Sequence, residues 1–264
     1  MKKIIKISIW CILSAGLIVM LGFVEKQHQL LTCSNLDILI KYNSDDYFFI
    51  TDDIYNFLIK KGYKIKGSPL SNINAGEIEN VLKTNPYIEK ADVYISIDGD
   101  VKINIIHKKP IVKVFNKYDK SFYIDDKGNL IPPSDKYSAR LLVANGFIND
   151  FYSPYIKLNV KDSTSADSTI MKTSIYKVYK IAEFINKNDF WKAMIEEIFI
   201  NKKGELELFT KIGDQSVIFG DIDNMKEKFD NLFIFYKQAL NKIGWKKYKT
   251  INLKYKNQIV CSKI

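Results

Sequence analysis

Hydrophobic and polar positions divide the chain into one long apolar block followed by short periodic segments. The block is Ile7 to Val24 (ISIWCILSAGLIVMLGFV), directly behind Met1-Lys2-Lys3 and Lys6. At ~1.5 Å of rise per residue, a helix over this run covers nearly the ~30 Å hydrocarbon core of a bilayer, and Lys6 can snorkel to the interface. Basic residues on its N-terminal side keep residues 1–6 in the cytoplasm and send everything after Glu25 across the membrane. A cleaved signal peptide is the alternative, but it prefers a shorter apolar region and a small-residue cleavage site at its end. Ser14-Ala15-Gly16, the only small cluster, lies inside the run, which favours a retained anchor. The polar stretch Glu25 to Gln29 separates Leu30-Leu31-Thr32-Cys33 from the run and disfavours a lipoprotein. The reading is a cytoplasmic tail (1–6), a single-pass anchor (7–24), a juxtamembrane linker (25–35) and an exported remainder.

Beyond the linker the periods change. Leu36 to Tyr42 alternates as a half-buried strand does, with Leu36, Ile38 and Ile40 on one side. Thr51 before Asp52-Asp53 starts a short capped helix with Ile54, Phe57 and Leu58 on one face, ending at Lys60-Lys61-Gly62. Asn74 and Glu77 have capping-box spacing for a second helix bearing Ile78, Val81 and Leu82, stopped at Asn85-Pro86. Two strands joined by Asp98-Gly99 follow, Val93, Ile95 and Ile97 answering Val101, Ile103 and Ile105 across a greasy hairpin face. Residues 36–107 therefore run strand, helix, helix, strand, strand, which is the layout of a POTRA module with an open sheet edge.

From Pro110 the pattern changes, and we place a boundary near Lys108. Val112, Val114 and Ser121 to Ile124 read as strands leading into the turn Asp126-Lys127-Gly128, and Leu141-Leu142-Val143 as another. After a loop from Asn145 to Ala166, Ile175, Val178, Ile181, Ala182 and Ile185 mark a long helix. Ile198 and Ile200, then Leu206 and Leu208, flank Asn201-Lys202-Lys203-Gly204 as a hairpin, and Val217 to Phe219 is a further strand. A second long helix starts near Asn224, carries Phe229, Leu232, Phe233, Tyr236, Leu240 and Ile243, and ends at Gly244. The last strand is Thr250 to Val260 (TINLKYKNQIV). The fold class is α+β: one transmembrane helix, a POTRA module, then a mixed α/β domain (108–264) dominated by an antiparallel sheet with two long helices.

Composition removes several function classes. The formal charge is +10, yet Arg140 is the only arginine, and no dense basic run is interleaved with aromatics. Arginine is the usual reader of phosphates and guanine edges, so nucleic-acid binding is not expected. There are only two histidines, His28 and His107, which leaves little for a histidine metal site or a Ser-His-Asp arrangement. No phosphate loop, dinucleotide fingerprint or HExxH motif occurs. Asp45-Asp46 and Asp52-Asp53 read as caps or solvated groups, and Phe229, Phe233 and Tyr236 as core. Cys33 and Cys261 would both lie in a compartment that permits disulfides, but their spacing carries no pairing signal, and two unpaired thiols are the simpler expectation. No enzyme, cofactor, metal or small-molecule substrate is expected. Residue by residue, the chain is an anchored, exported interaction protein.

Several stretches in order resemble the FtsQ/DivIB family of bacterial cell-division proteins. Asn85-Pro86-Tyr87-Ile88-Glu89-Lys90-Ala91 is similar to that family's helix-to-strand passage, and Tyr123-Ile124-Asp125 with Gly128 to its first β-domain turn. Gly244-Trp245, Tyr248 and Ile251-Asn252-Leu253-Lys254-Tyr255 resemble its closing DLRY strand. Asn252 stands for the usual aspartate and Lys254 for the arginine, so the pair those residues form in the family is not implied here. The resemblance implies a non-catalytic scaffold of the divisome, in the inner membrane at the septum with its folded part periplasmic. It implies partners FtsB and FtsL, joined by strand addition at the last strand, and other septal proteins recruited through the POTRA module. On this sequence that edge is Ile251 to Gln258, with Ile251 and Leu253 in the strand, Tyr255 as side-chain anchor, and Lys254, Lys256, Asn257 and Gln258 as polar contacts. The alternative is a POTRA-bearing envelope assembly or receptor protein unrelated to division.

Overall fold

The computed structural model describes residues 10, 13–20, 31–42, 48–134, 140–156, 158, 170–213, 215–240, 242, 244–245, 247–256 and 258–263. Within the apolar run, Trp10 and residues 13–20 are helical. The rest of the run and the tail 1–6 lie outside the described residues, as do His28, Asp45-Asp46 and Ile243. Among the described residues no helix is long and apolar enough to cross a membrane. The chain packs as two compact units, one of Met1–Asn43 with Phe49–His107, the other of Ser44–Phe48 with Lys108–Ile264.

In the first unit, strand β1 (Leu36–Lys41) is followed by helix α1 (Thr51–Lys60), helix α2 (Ala75–Lys83), strand β2 (Ile88–Ile95) and strand β3 (Val101–His107). The sheet order is β1-β3-β2, with β1 parallel and β2 antiparallel to β3. Ile54 and Leu58 of α1 and Ile78 and Leu82 of α2 are buried with Ala91, Val93, Val101, Ile103 and Ile105, so the two helical stripes and one sheet face close a single core. Two local expectations are corrected. Thr51 is not the cap of α1: the chain turns one residue earlier, at Ile50, whose N–H donates to the Asp53 carboxylate (3.0 Å). Ile97 does not join the greasy face: the strand ends at Ile95, which pairs with Val101 and is 36% exposed, and the turn carries Ile97 away, 88% exposed. Asn74 does cap α2, accepting from the Glu77 N–H (3.2 Å), but the Glu77 carboxylate accepts from the Tyr63 hydroxyl (2.6 Å). His107 is buried against the Phe49 ring (4.9 Å between ring centres) and lies in the core.

The segment leading into β1 is stitched to the loop before α2. Cys33 N–H donates to Ser68 C=O, Gly67 N–H to Cys33 C=O and Leu70 N–H to Leu31 C=O, each at 2.9 Å. Cys33 is thereby buried, as a free thiol, and Cys261 is free as well.

The second unit is a nine-stranded mixed sheet. Its strands in chain order are β4 (Pro110–Phe115), β5 (Ser121–Asp125), β6 (Leu130–Ile131), β7 (Leu142–Gly146), β8 (Ile195–Ile200), β9 (Leu206–Thr210), β10 (Ser216–Gly220), β11 (Tyr248–Asn252) and β12 (Val260–Lys263). Their order across the sheet is β12-β11-β10-β9-β8-β7-β4-β5-β6, parallel at β4/β7, β7/β8 and β10/β11 and antiparallel elsewhere. Helices α3 (Ser174–Asn186), α4 (Asp189–Met194) and α5 (Met225–Phe235) pack on it, and α5 runs into a π-helical turn at Tyr236–Leu240. The helices are where the 3.6-residue stripes required them: Ile175, Val178, Ile181, Ala182 and Ile185 are buried, as are Phe229, Leu232, Tyr236 and Leu240. Phe229 is the aromatic centre, stacked on Phe184 (4.5 Å) and touching Phe219 (5.0 Å) and Trp191 (4.9 Å). Helix α4 has no counterpart in the periodicity because six residues make too short a stripe; Asn188 caps it by accepting from the Trp191 N–H (3.2 Å).

Candidate functional site

The C-terminal end of the sheet departs from the single closing strand read in the sequence. β11 stops at Asn252, the chain turns through residues 253–259, and β12 returns antiparallel, pairing Thr250 with Ser262, Ile251 with Cys261 and Asn252 with Val260. Past Asn252 the exposed Lys254, Tyr255, Lys256 and Gln258 bury no apolar side chain in the core, which disfavours extending β11 through them. Asn252 bends the chain locally: its side-chain oxygen accepts from the Lys254 N–H (3.0 Å), an Asx turn that takes the Lys254 amide out of any ladder.

The predicted edge residues therefore separate into groups. Ile251 is fully buried between β10, where it pairs with Val217, and β12. Leu253 is buried too, and its N–H donates to Ile218 C=O (2.9 Å), a last rung of the parallel ladder. Neither lies at an edge. Lys254 is engaged within the unit: its ammonium meets the Glu205 carboxylate at 2.5 Å, and its stem lies over Gly220. Tyr255 (52% exposed), Lys256 and Gln258 project from the turn. Asn257 lies outside the described residues.

The outermost strand is β12, of which the sequence reading included only Val260, as the end of its last strand. Among the described residues nothing pairs with its outer side, so it offers unpaired backbone groups as an edge strand does. It is short, with Val260, Ser262 and Lys263 exposed, and the Ser262 and Thr250 hydroxyls touch (2.6 Å). Cys261 turns inward and packs on the core, and burial pushes its thiol pKa up. Beside this strand Asn231, Ile234, Phe235, Gln238, Ala239, Gln258 and Ile259 line a groove of about 320 Å³. Its apolar floor comes from the outer face of α5, where Ile234 is exposed, and its rim carries amides and no charge.

Electrostatics fix the turn. The hydrogen bond from Lys254, then that from Asn201, holds the Glu205 carboxyl below the usual range; the same contact raises Lys254. No group of histidine, cysteine, aspartate and glutamate able to hold a metal occurs among the described residues. Asp125 is a buried carboxylate, and it closes the β5–β6 turn, accepting from Lys127 N–H (3.0 Å), Asn129 N–H (2.7 Å) and Asn129 Nδ2 (2.9 Å). Burial raises its pKa against the pull of those donors. Both its oxygens serve the turn, which makes it structural.

A sequence model of the FtsQ/DivIB, C-terminal related family matches residues 109–262, and one of a POTRA-like domain matches residues 31–106. No curated protein matches the chain. The first match takes in every residue of β11 and the turn and reaches Ser262 in β12.

Proposed function

Because the chain belongs to the FtsQ/DivIB, C-terminal related family, a family of non-enzymatic cell-division scaffolds, we propose that it is a single-pass divisome scaffold that captures FtsB- and FtsL-type subunits by strand addition at β12. The open outer edge of β12, inside the stretch that carries the family match, is the observation behind this reading. A partner segment laid along Val260–Lys263 satisfies the backbone groups of both chains. The groove between α5 and Gln258-Ile259 then takes an apolar side chain of the same segment, and Tyr255, Lys256 and Gln258 flank its end. Area in such an interface comes cheaply to the scaffold, since the edge is already ordered and little entropy is lost on its side. In this reading residues 7–24 are the retained anchor, the POTRA-like unit recruits further septal proteins from the periplasmic side, and the whole assembly regulates septal peptidoglycan synthesis without catalysing it.

The strand-addition step is tested by proline at Cys261 and, separately, at Ser262. Amides alternate along a strand, so one of these two N–H groups points outward and the other toward β11. The outward-facing variant is expected to keep its melting temperature within a few degrees and to lose copurification of the FtsB-type partner. Hydrogen exchange on the wild-type chain gives an independent readout: the outward amides of β12 slow down when the partner binds. Wild-type copurification by both proline variants, with no change in exchange, overturns the proposal.

A further inference from the structure

We propose that the β2–β3 hairpin tip of the first unit is a membrane-contact point, in which Ile97, flanked by Ile95 and Leu31, dips into the bilayer interface and holds that unit against the membrane. The inference rests on the reading of residues 7–24 as an anchor. Three observations carry it.

The first is exposure without a local reason. Ile97 is 88% exposed at the tip of a turn whose geometry has no need of an isoleucine there. The turn is fixed by Gly99, at φ +87°, and by two backbone bonds: Gly99 N–H donates to Ser96 C=O (3.0 Å) and Ser96 N–H to Asp100 C=O (2.8 Å). A polar residue would serve position 97 equally well, as most hairpin turns show. Ile95 (36% exposed) and Leu31 (40%) add apolar surface.

The second is placement. A Cβ on Gly99 would lie 3.6 Å from Leu70 and 3.7 Å from Thr32 C=O, so the tip packs beside the incoming chain, which is itself bonded to residues 67–70. The third is reach. Only six residues, Glu25 to Leu30, separate Val24 from Leu31, so even a fully extended connection spans roughly 25 Å. The end of the unit that carries Leu31 and Ile97 stays within that distance of the bilayer, and the opposite end of β3, near His107, can lie farther off by the length of the strand. The hairpin turn itself carries two acidic residues, Asp98 and Asp100, and no basic one, so the contact draws on apolar surface and does not depend on anionic lipid.

The test uses tryptophan emission of the full chain in nanodiscs containing brominated lipid. Trp10 lies within the apolar run and reports the anchor; its share is isolated with Trp10→Phe. In Ile97→Trp the added emission is expected to fall by about half or more, as for an indole at headgroup level, equally in zwitterionic and anionic discs. In Asp52→Trp, at the start of α1 and the other end of the unit, the added emission is unchanged. If Trp10 is quenched and the indole placed at 97 is not, the hairpin contact is overturned while the anchor stands. If Trp10 itself escapes quenching, the anchor reading fails and the contact with it.

Discussion

Lys254 reaches back from the turn after β11 to Glu205 in the loop before β9, ammonium to carboxylate at 2.5 Å, across 49 residues of sequence. The lysine stands where the resembled family carries arginine, and the pair ties the start of the β11–β12 turn to the β8–β9 hairpin. Lysine gives a point charge where arginine would give a fork, so the link orients less than a bidentate pair does. The contact lies at the surface, so it is weakened by salt. The Glu205 carboxyl is held below its ordinary pKa, so the stability it contributes is present above the unfolded value of ~4.3 and is lost as pH falls through the folded one. Urea midpoints of wild type and Glu205→Gln are expected to differ at pH 7 and to converge below pH 4; a pH-independent difference counts against the pair.

Asp125 predicts the opposite slope. Its folded pKa is raised by burial, so the folded state binds the proton more tightly than the unfolded one, and its contribution is largest below ~3.9 and falls as pH rises through the folded pKa. Asp125→Asn keeps one acceptor, and its deficit relative to wild type is expected to shrink from pH 4 toward pH 6 in urea titrations. Asp125→Ala strands three donors at the β5–β6 turn and is expected to cost about 2–4 kcal/mol more than Asp125→Asn does, with the same fall in the deficit as pH rises.

Two glycines are costly to replace, for different reasons. Gly146, at φ +96°, ends β7 where an added Cβ would collide with the backbone of Ile200, and Gly220, at φ +79°, sits where a Cβ would lie 2.8 Å from Lys254 Cγ. Gly220→Ala is expected to cost about 1–2 kcal/mol from the left-handed backbone and to push Lys254 off Glu205, abolishing the pH effect of the Glu205→Gln comparison. Gly146→Ala cannot relax by moving a side chain, so its melting temperature is expected to fall further than that of Gly220→Ala. Equal melting temperatures contradict this.

Phe229→Ala is expected to cost about 3–5 kcal/mol in chemical denaturation, because the buried ring packs against Phe184, Phe219 and Trp191 and its loss leaves a cavity among them. A loss under 1 kcal/mol would mean that the second unit's core is not centred there.

How far the chain could be read without its structure depends on the range of the interactions involved. The order of β1, α1, α2, β2 and β3, and the buried stripes of α3 and α5, follow from local periodicity and were legible. The end of the sheet was not. Ile251, Leu253, Ile259 and Cys261 all occupy odd positions and all face the core, so the alternation of one long strand survives the turn that divides it. The break lies in the polar run Lys254 to Gln258 and in the Asn252 side chain, neither of which disturbs that parity. Ile97 was misplaced for the same reason in reverse: the period of two continues into the turn after the strand has ended. Of the seven residues read as partner contacts, Ile251 and Leu253 belong to the core and Lys254 to an ion pair. The strand that offers the edge, Val260–Lys263, carries no periodic signal because it is four residues long.

The central claim, a scaffold of the division apparatus, is tested most directly by imaging a fluorescent fusion of the full chain in dividing cells whose own copy is depleted. Fluorescence gathered at mid-cell, with filaments forming on depletion and division restored by the fusion, is the expected result; a uniform envelope signal with normal division after depletion would contradict it.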